Sequence, residues 1–179
     1  MGSRFNRFTK VMVVFCTITF FGIILIYRCV ERALRRRYLS SITQSQIDAM
    51  DGYDFEKYIR VVLEDKGFRV IPTPERADYG ADLIVTHRNI RCAIQCKLYY
   101  KHGVGVSAVQ EVRASMPHYD ATTAAVITNS HFTLSAVTLA ENNGVTLIDR
   151  DCLQKIISPH TQKKDIAKII CQNMSQSIK

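Results

Sequence analysis

Between Lys10 and Arg28 the chain runs for 17 residues without a charge, Val11 to Tyr27, reading VMVVFCTITFFGIILIY. No other feature constrains the fold as strongly, because a run this apolar must be buried in a protein core or in a bilayer. As a helix rising 1.5 Å per residue it is roughly 25 Å long, and Lys10 and Arg28 can make up the shortfall from a ~30 Å hydrocarbon core by snorkelling. The residues that follow, Arg28-Cys29-Val30-Glu31-Arg32, offer no small-x-small site, which argues against a cleaved signal peptide. Arg28 before Cys29 argues against a lipoprotein site, and Asn6 argues against myristoylation of Gly2. The expectation is a single-pass membrane anchor over residues 1–37, spanning at residues 11–27. Arg4, Arg7 and Lys10 precede the span, whereas Arg28, Arg32, Arg35, Arg36 and Arg37 follow it. That balance places the C-terminal side in the cytoplasm.

Charge divides along the same line. Residues 1–40 hold eight basic side chains and one acid, net +7, whereas residues 41–179 hold 16 basic and 15 acidic, net +1. The overall +8 therefore belongs to the N-terminus and is no argument for nucleic acid. The run Arg35-Arg36-Arg37 reads as a lipid-headgroup and topology signal, with contact to DNA phosphates as the sharper alternative. The six cysteines and five histidines are scattered, with no CxxC pair and no zinc-like spacing. Reduced thiols in a cytosolic domain account for them.

Residues 38–49 are polar and weakly periodic and read as a linker. Beyond them Phe55, Tyr58, Ile59, Val62 and Leu63 recur at helical spacing, with Gly67 as the stop. Phe68 to Ile71 reads as a short strand ended by Pro72. Leu83-Ile84-Val85 and Ile90 to Leu98 read as a hairpin joined through His87-Arg88-Asn89. Val106, Val109, Val112 and Met116 give an amphipathic helix, Ala124 to Thr128 a strand, residues 132–142 a helix closed by Gly144, and Val145 to Ile148 a further strand. Cys152 to Ile157 and Asp165 to Cys171 read as closing helices. The order predicts a single α/β domain with a mixed sheet. Its expected span is 50–157, followed by a C-terminal helix and tail at 158–179.

The strand from Ile90 carries the chemistry. Alternation puts Cys92, Ile94, Cys96 and Leu98 on one face, toward the core, and Arg91, Ala93, Gln95 and Lys97 on the other. Cys96 is then a packed small hydrophobe rather than a nucleophile. Asp82 opens the neighbouring strand and can approach Gln95 and Lys97. An acid, an amide oxygen and a lysine so placed suit phosphodiester hydrolysis: a hard cation takes oxygen ligands from Asp82 and Gln95, and Lys97 orients the water or stabilises developing charge. Glu56 shares a helix face with Ile59 and Leu63 and can lean into the same cleft as a further ligand. Taken alone the pattern occurs by chance in many proteins.

A longer series narrows it. Phe55-Glu56, Gly67-Phe68, Asp78-Tyr79-Gly80-Ala81-Asp82-Leu83, Gln95-Cys96-Lys97 and Val104-Gly105 occur in order, followed by Val109-Gln110-Glu111, the run Thr128 to Thr133, Ala136 and Leu147-Ile148-Asp149. Over about residues 50–155 this resembles the catalytic domain of Mrr-type restriction endonucleases, the QxK branch of the PD-(D/E)xK nucleases. The resemblance implies a restriction-endonuclease-like mixed β-sheet flanked by helices. Asp82 resembles the metal-binding aspartate, Gln95 the glutamine this branch uses where most relatives have a carboxylate, Lys97 the catalytic lysine and Glu56 the first-helix acid. Gln110 matches a helix position near the site and is a candidate substrate contact. Mg²⁺ or Mn²⁺ is the implied cofactor, DNA the implied substrate and a second copy of the chain a candidate partner. Two departures stand out. Tyr79 replaces a usual glycine, and an anchor stands where the family carries a DNA-recognition domain, so methyl preference does not transfer. The expectation is a membrane-anchored, metal-dependent DNA endonuclease. Its rivals are a catalytically degenerate module that binds DNA or protein, and a nuclease for branched DNA or RNA.

Overall fold

The computed structural model describes residues 2–74 and 79–171, so Asp78 and the tail at 172–179 lie outside the described residues. The chain divides into two units, Met1–Tyr38 and Leu39–Lys179. The first lies within one long helix, α1 (Gly2–Ser41). Its stretch Thr9–Leu39 is long and apolar enough to cross a membrane. Side chains such as Phe15, Phe20, Ile23 and Leu25 are exposed along it. That is the reverse of a soluble core helix, which buries its apolar stripe.

The second unit is built on one five-stranded sheet, among the described residues, with strands in chain order. These are β1 (Arg69–Pro72), β2 (Leu83–His87), β3 (Ile90–Lys97), β4 (Thr123–Thr128) and β5 (Val145–Ile148). The first three pair antiparallel and the last three parallel, the mixed sheet that the order of elements predicts. A parallel pair needs a crossover. Helix α4 (Val106–Ser115) supplies it between β3 and β4, and α5 (Leu134–Asn143) between β4 and β5. Thr133 caps α5 at its start, and Gly144, at φ 63°, ends it in the left-handed conformation that glycine adopts without strain.

Both faces of the sheet are covered. On one, Leu83, Val85, Cys92, Ile94, Ala125, Ile127 and Ile148 pack against α3 (Gly52–Asp65), α6 (Arg150–Ile157) and α7 (Lys163–Cys171). Phe55, Ile59, Val62 and Leu63 are the stripe that α3 contributes, and Asp51 caps that helix by accepting from the Asp54 N–H. On the other face Ile84, Ala93, Ala124, Val126 and Val145 meet Val109 and Val112 of α4 and Ala136 and Ala140 of α5. The small residues of β4 let these helices approach closely.

Two segments expected to flank the domain belong to it. The stretch read as a linker, 38–49, holds helix α2 (Gln44–Asp48), started by a reciprocal capping box between Thr43 and Gln46. Leu39 and Ile47 from this stretch are buried in the first core cluster. Asp48 accepts from Asn129 Nδ2 at 2.8 Å and from Arg150 at 3.0 Å. Burial works to raise the Asp48 carboxyl, but its hydrogen bonds to Asn129 and Gln44 and the Arg150 charge outweigh burial and hold it below its ordinary value. A polar stretch with one buried isoleucine has too little periodicity to announce such a helix. Likewise α7, set apart with the C-terminal tail, buries Ile166 and Ile170 against the sheet.

Ile166→Ala should therefore destabilise the folded unit by about 2–5 kcal/mol, the cost of truncating a fully buried isoleucine. Denaturant unfolding of the full chain in detergent measures it, and a change within ~0.5 kcal/mol would return α7 to the status of an appendage.

Candidate active site

The site forms where β2 begins and β3 ends. The register pairs Leu83 with Ile94, so Asp82, one residue earlier, stands across from Gln95. The Asp82 N–H donates to the Ile94 carbonyl at 2.8 Å, and its own carbonyl accepts from the Thr73 N–H at 2.9 Å and from Thr73 Oγ1 at 3.0 Å. The backbone is thus held on both sides before the side chain does anything. The carboxylate then binds back to β3: Asp82 Oδ2 accepts from Gln95 Nε2 at 2.8 Å and from the Cys96 N–H at 2.6 Å. Asp82 and Gln95 are both buried.

Gln95 spends its amide nitrogen on Asp82 and leaves its oxygen over. Gln95 Oε1 is buried and accepts no hydrogen bond. An orphaned buried acceptor costs roughly 1–3 kcal/mol and calls for a partner. A hard cation is one partner that fits, since it takes neutral carbonyl oxygens beside a carboxylate. Among the described residues no three His, Cys, Asp or Glu side chains gather as a metal cluster. Asp82 and Glu56 of α3 line one cleft, and the Gln95 amide is bonded to the Asp82 carboxylate. One or two carboxylates with retained waters is how Mg²⁺ is ordinarily held.

Lys97, at the end of β3, is half-buried and paired: its Nζ lies 2.8 Å from Glu111 Oε2 on α4. Burial works against its charge, but the hydrogen bond and charge of Glu111, with the field of Asp82, more than offset that and raise the ammonium above its ordinary range. Lys97 is therefore a fixed cation and no general base at neutral pH. Cys96 is fully buried, and burial, then Asp82 and Glu56, push its thiol well up, so it stays protonated and inert.

The loop before Asp82 sets the spacing between β2 and α4. Gly80 has φ 91°, and a Cβ there would lie 2.5 Å from the Glu111 carbonyl oxygen. Only glycine lets the loop touch the helix at the residue that pairs with Lys97. Tyr79 keeps a positive φ of 53° and stacks on His118 with ring centroids 3.8 Å apart.

Asp82, Gln95 and Lys97 stand together where β2 begins and β3 ends, and Glu56 lines the cleft beside Asp82. Gln110 is not among the residues gathered there. It is exposed and faces the groove between α4 and α5 with Leu134 and Thr138, because consecutive helical residues point about 100° apart. Its neighbour Glu111 turns to Lys97 instead. Helical phase was the available signal: Glu111 sits two positions from the buried Val109 and next to the buried Val112, at the edge of the core-facing stripe.

Residues 47–157 match a family model of the Mrr catalytic domain described as a restriction endonuclease. Among solved structures, a protein of unknown function, AF1548, superposes with a TM-score of 0.51 at 16% identity, covering 66% of this chain and 66% of its own. The DNA modification-dependent restriction endonuclease AspBHI superposes with a TM-score of 0.51 at 15% identity, covering 79% of this chain and 40% of its own. At such identities the likeness is one of fold: a restriction-endonuclease-like mixed sheet flanked by helices. No curated protein matches the chain.

Glu111→Gln should leave the fold intact and lower the Lys97 pKa, since burial then meets less opposition. Titration of isotope-labelled lysine followed by NMR reads this directly, and an unchanged Lys97 pKa would show that Glu111 does not hold its charge.

Proposed function

Because the chain belongs to the Mrr-type restriction endonuclease family, we propose that it is a metal-dependent endonuclease hydrolysing DNA phosphodiester bonds at the cleft around Asp82. In this reading α1 tethers it to a membrane and the nuclease unit faces the cytoplasm. The observation that carries the reading is the buried, unpartnered Gln95 Oε1 beside the Asp82 carboxylate. A bound cation would give that acceptor a partner.

Asp82, Gln95 and Glu56 would hold the cation. When bound, Mg²⁺ or Mn²⁺ supplies positive charge to the phosphate and acidifies water. The chain's own part is mostly electrostatic. Lys97, kept charged by Glu111, faces the negative charge that grows on the phosphate as the water oxygen bonds to phosphorus and the P–O bond to the leaving oxygen breaks. The attacking water gives up a proton and the leaving oxygen gains one. The Asp82 bonds to Gln95 and to the Cys96 backbone fix the geometry in advance, so no reorganisation is needed during the step.

A rival reading, a nuclease fold retained for binding without cleavage, is favoured by two observations. The segment 41–179 is nearly neutral, net +1, and Gln95 is a weaker ligand than a carboxylate. Modification dependence belongs to AspBHI by name. This chain spans 40% of that protein, so the dependence stays with it.

The experiment uses the full chain in detergent with plasmid DNA, methylated and unmethylated, in Mg²⁺, in Mn²⁺ and in EDTA. Cleavage is expected with either metal and none in EDTA. Asp82→Ala and Lys97→Ala should each lower the rate by about 10²–10³, and Asp82→Ala, which strips the Gln95 amide and the Cys96 N–H of their acceptor, should also lower the melting temperature. Full activity in either variant would sink the assignment, and inactivity of the wild type on every DNA would favour the binding module. In membrane fractions the full chain should pellet and a fragment of residues 39–179 should stay in the supernatant. A fragment that pellets equally would remove the anchor.

A further inference from the structure

The cleft beside Asp82 is larger than a metal site requires. It encloses about 500 Å³, and besides Asp82 and Glu56 its lining includes Tyr53, Lys57 and Arg60 of α3, with Pro72 and Pro74 opposite. That volume falls within the range of small-ligand pockets, ~300–1,000 Å³, and admits one nucleotide but no duplex.

The chemistry of its wall matches a nucleotide. Tyr53 is half exposed, and Lys57 Nζ sits 3.8 Å from the centroid of its ring. Arg60 lines the same space and pairs with Glu64 one turn on, its buried Nε 3.8 Å from the Glu64 carboxylate and without a hydrogen bond. The Lys57 ammonium covers one face of the Tyr53 ring and leaves the other for a base, and the ammonium and the Arg60 guanidinium are two cations for its phosphate. The rest of the unit offers little to a duplex. At net +1 it lacks the cationic surplus that a surface neutralising many phosphates carries. Binding to single strands draws instead on stacking and on a few phosphate contacts.

We propose that this cleft is a nucleotide subsite for unpaired DNA, with Tyr53 stacking on one base and Lys57 and Arg60 holding a phosphate next to the one cleaved. The inference rests on the nuclease reading for its neighbouring catalytic groups, and it names the substrate class: single strands, tails and frayed ends in preference to closed duplex. Tyr53, Lys57 and Arg60 bind and select, and none takes part in the bond change.

The test uses the full chain in detergent and three labelled DNAs of one sequence: a single strand, a covalently closed relaxed circular duplex, and a duplex with an unpaired tail. Affinity is measured in Ca²⁺, and cleavage separately in Mg²⁺. The single strand and the tailed duplex should bind about tenfold more tightly than the closed duplex. Tyr53→Ala should weaken single-strand binding about tenfold, and Tyr53→Phe should restore it. Lys57→Gln and Arg60→Gln should each flatten the dependence of log affinity on log salt by about 0.7. Lys57→Arg should keep the slope, and Lys155→Gln, on the exposed face of α6, is the control. Equal affinity for closed duplex and single strand, or variants with unchanged single-strand affinity and slope, would overturn the subsite. If the wild type cleaves closed duplex best and these variants cut normally, the subsite falls and the nuclease reading stands. If nothing is cleaved and the binding pattern appears, the subsite stands without the nuclease.

Discussion

Two hydrogen bonds onto one oxygen organise the functional end of this protein. Asp82 Oδ2 receives the Gln95 amide and the Cys96 backbone N–H, at 2.8 and 2.6 Å, so a side chain completes the pairing of β2 with β3 where their ladder runs out. A carboxylate bound by two donors is oriented as well as buried, and such charge-assisted bonds are stronger than neutral ones. Because the amide nitrogen of Gln95 is committed to Asp82, its oxygen is left buried and unpartnered. Structure and chemistry meet in that leftover acceptor.

The second half of the site depends on α4. Lys97 reaches it through Glu111, and the loop carrying Gly80 lies against the backbone of the same residue. One turn of helix therefore fixes the lysine and the loop that leads into Asp82. A methyl group at position 80 would drive the loop and α4 apart, and the two charged halves of the site would separate together. Electrostatically the result is the Asp82 carboxyl and a lysine, held charged by Glu111, near each other at the end of the sheet. Their interaction is stronger there than in water, and a partner of matching charge gains most from it.

Much of this is legible in the residue pattern. Alternation along β3 separates Cys92, Ile94 and Cys96 from Ala93, Gln95 and Lys97, and the two sets do lie in or toward different layers. Period-2 and period-3.6 patterns report local geometry, so β3 and α3 announce themselves. Contacts between distant segments carry no such signature. Nothing in Thr43 to Asp48 indicates that Asp48 will bind Asn129 and Arg150, and nothing in Ile166 alone says which sheet it covers. Gln110 and Glu111 part by helical phase, where a single residue moves a side chain by about 100°. The alternation puts Gln95 on the face opposite Cys92, Ile94 and Cys96. It is buried because that side of the sheet carries a helical layer of its own.

The central claim is that Asp82 and the Gln95 oxygen together hold a divalent cation, and metal affinity tests it more directly than turnover does. Titrating the full chain in detergent with Mn²⁺, by calorimetry or by water-proton relaxation, compares the wild type with Gln95→Glu and Gln95→Leu. The account predicts tighter binding for Gln95→Glu, a charged oxygen ligand replacing a neutral one, and at least about tenfold weaker binding for Gln95→Leu. Equal Mn²⁺ affinity in all three proteins would contradict it, and the buried amide oxygen would then have no part in the chemistry of this cleft.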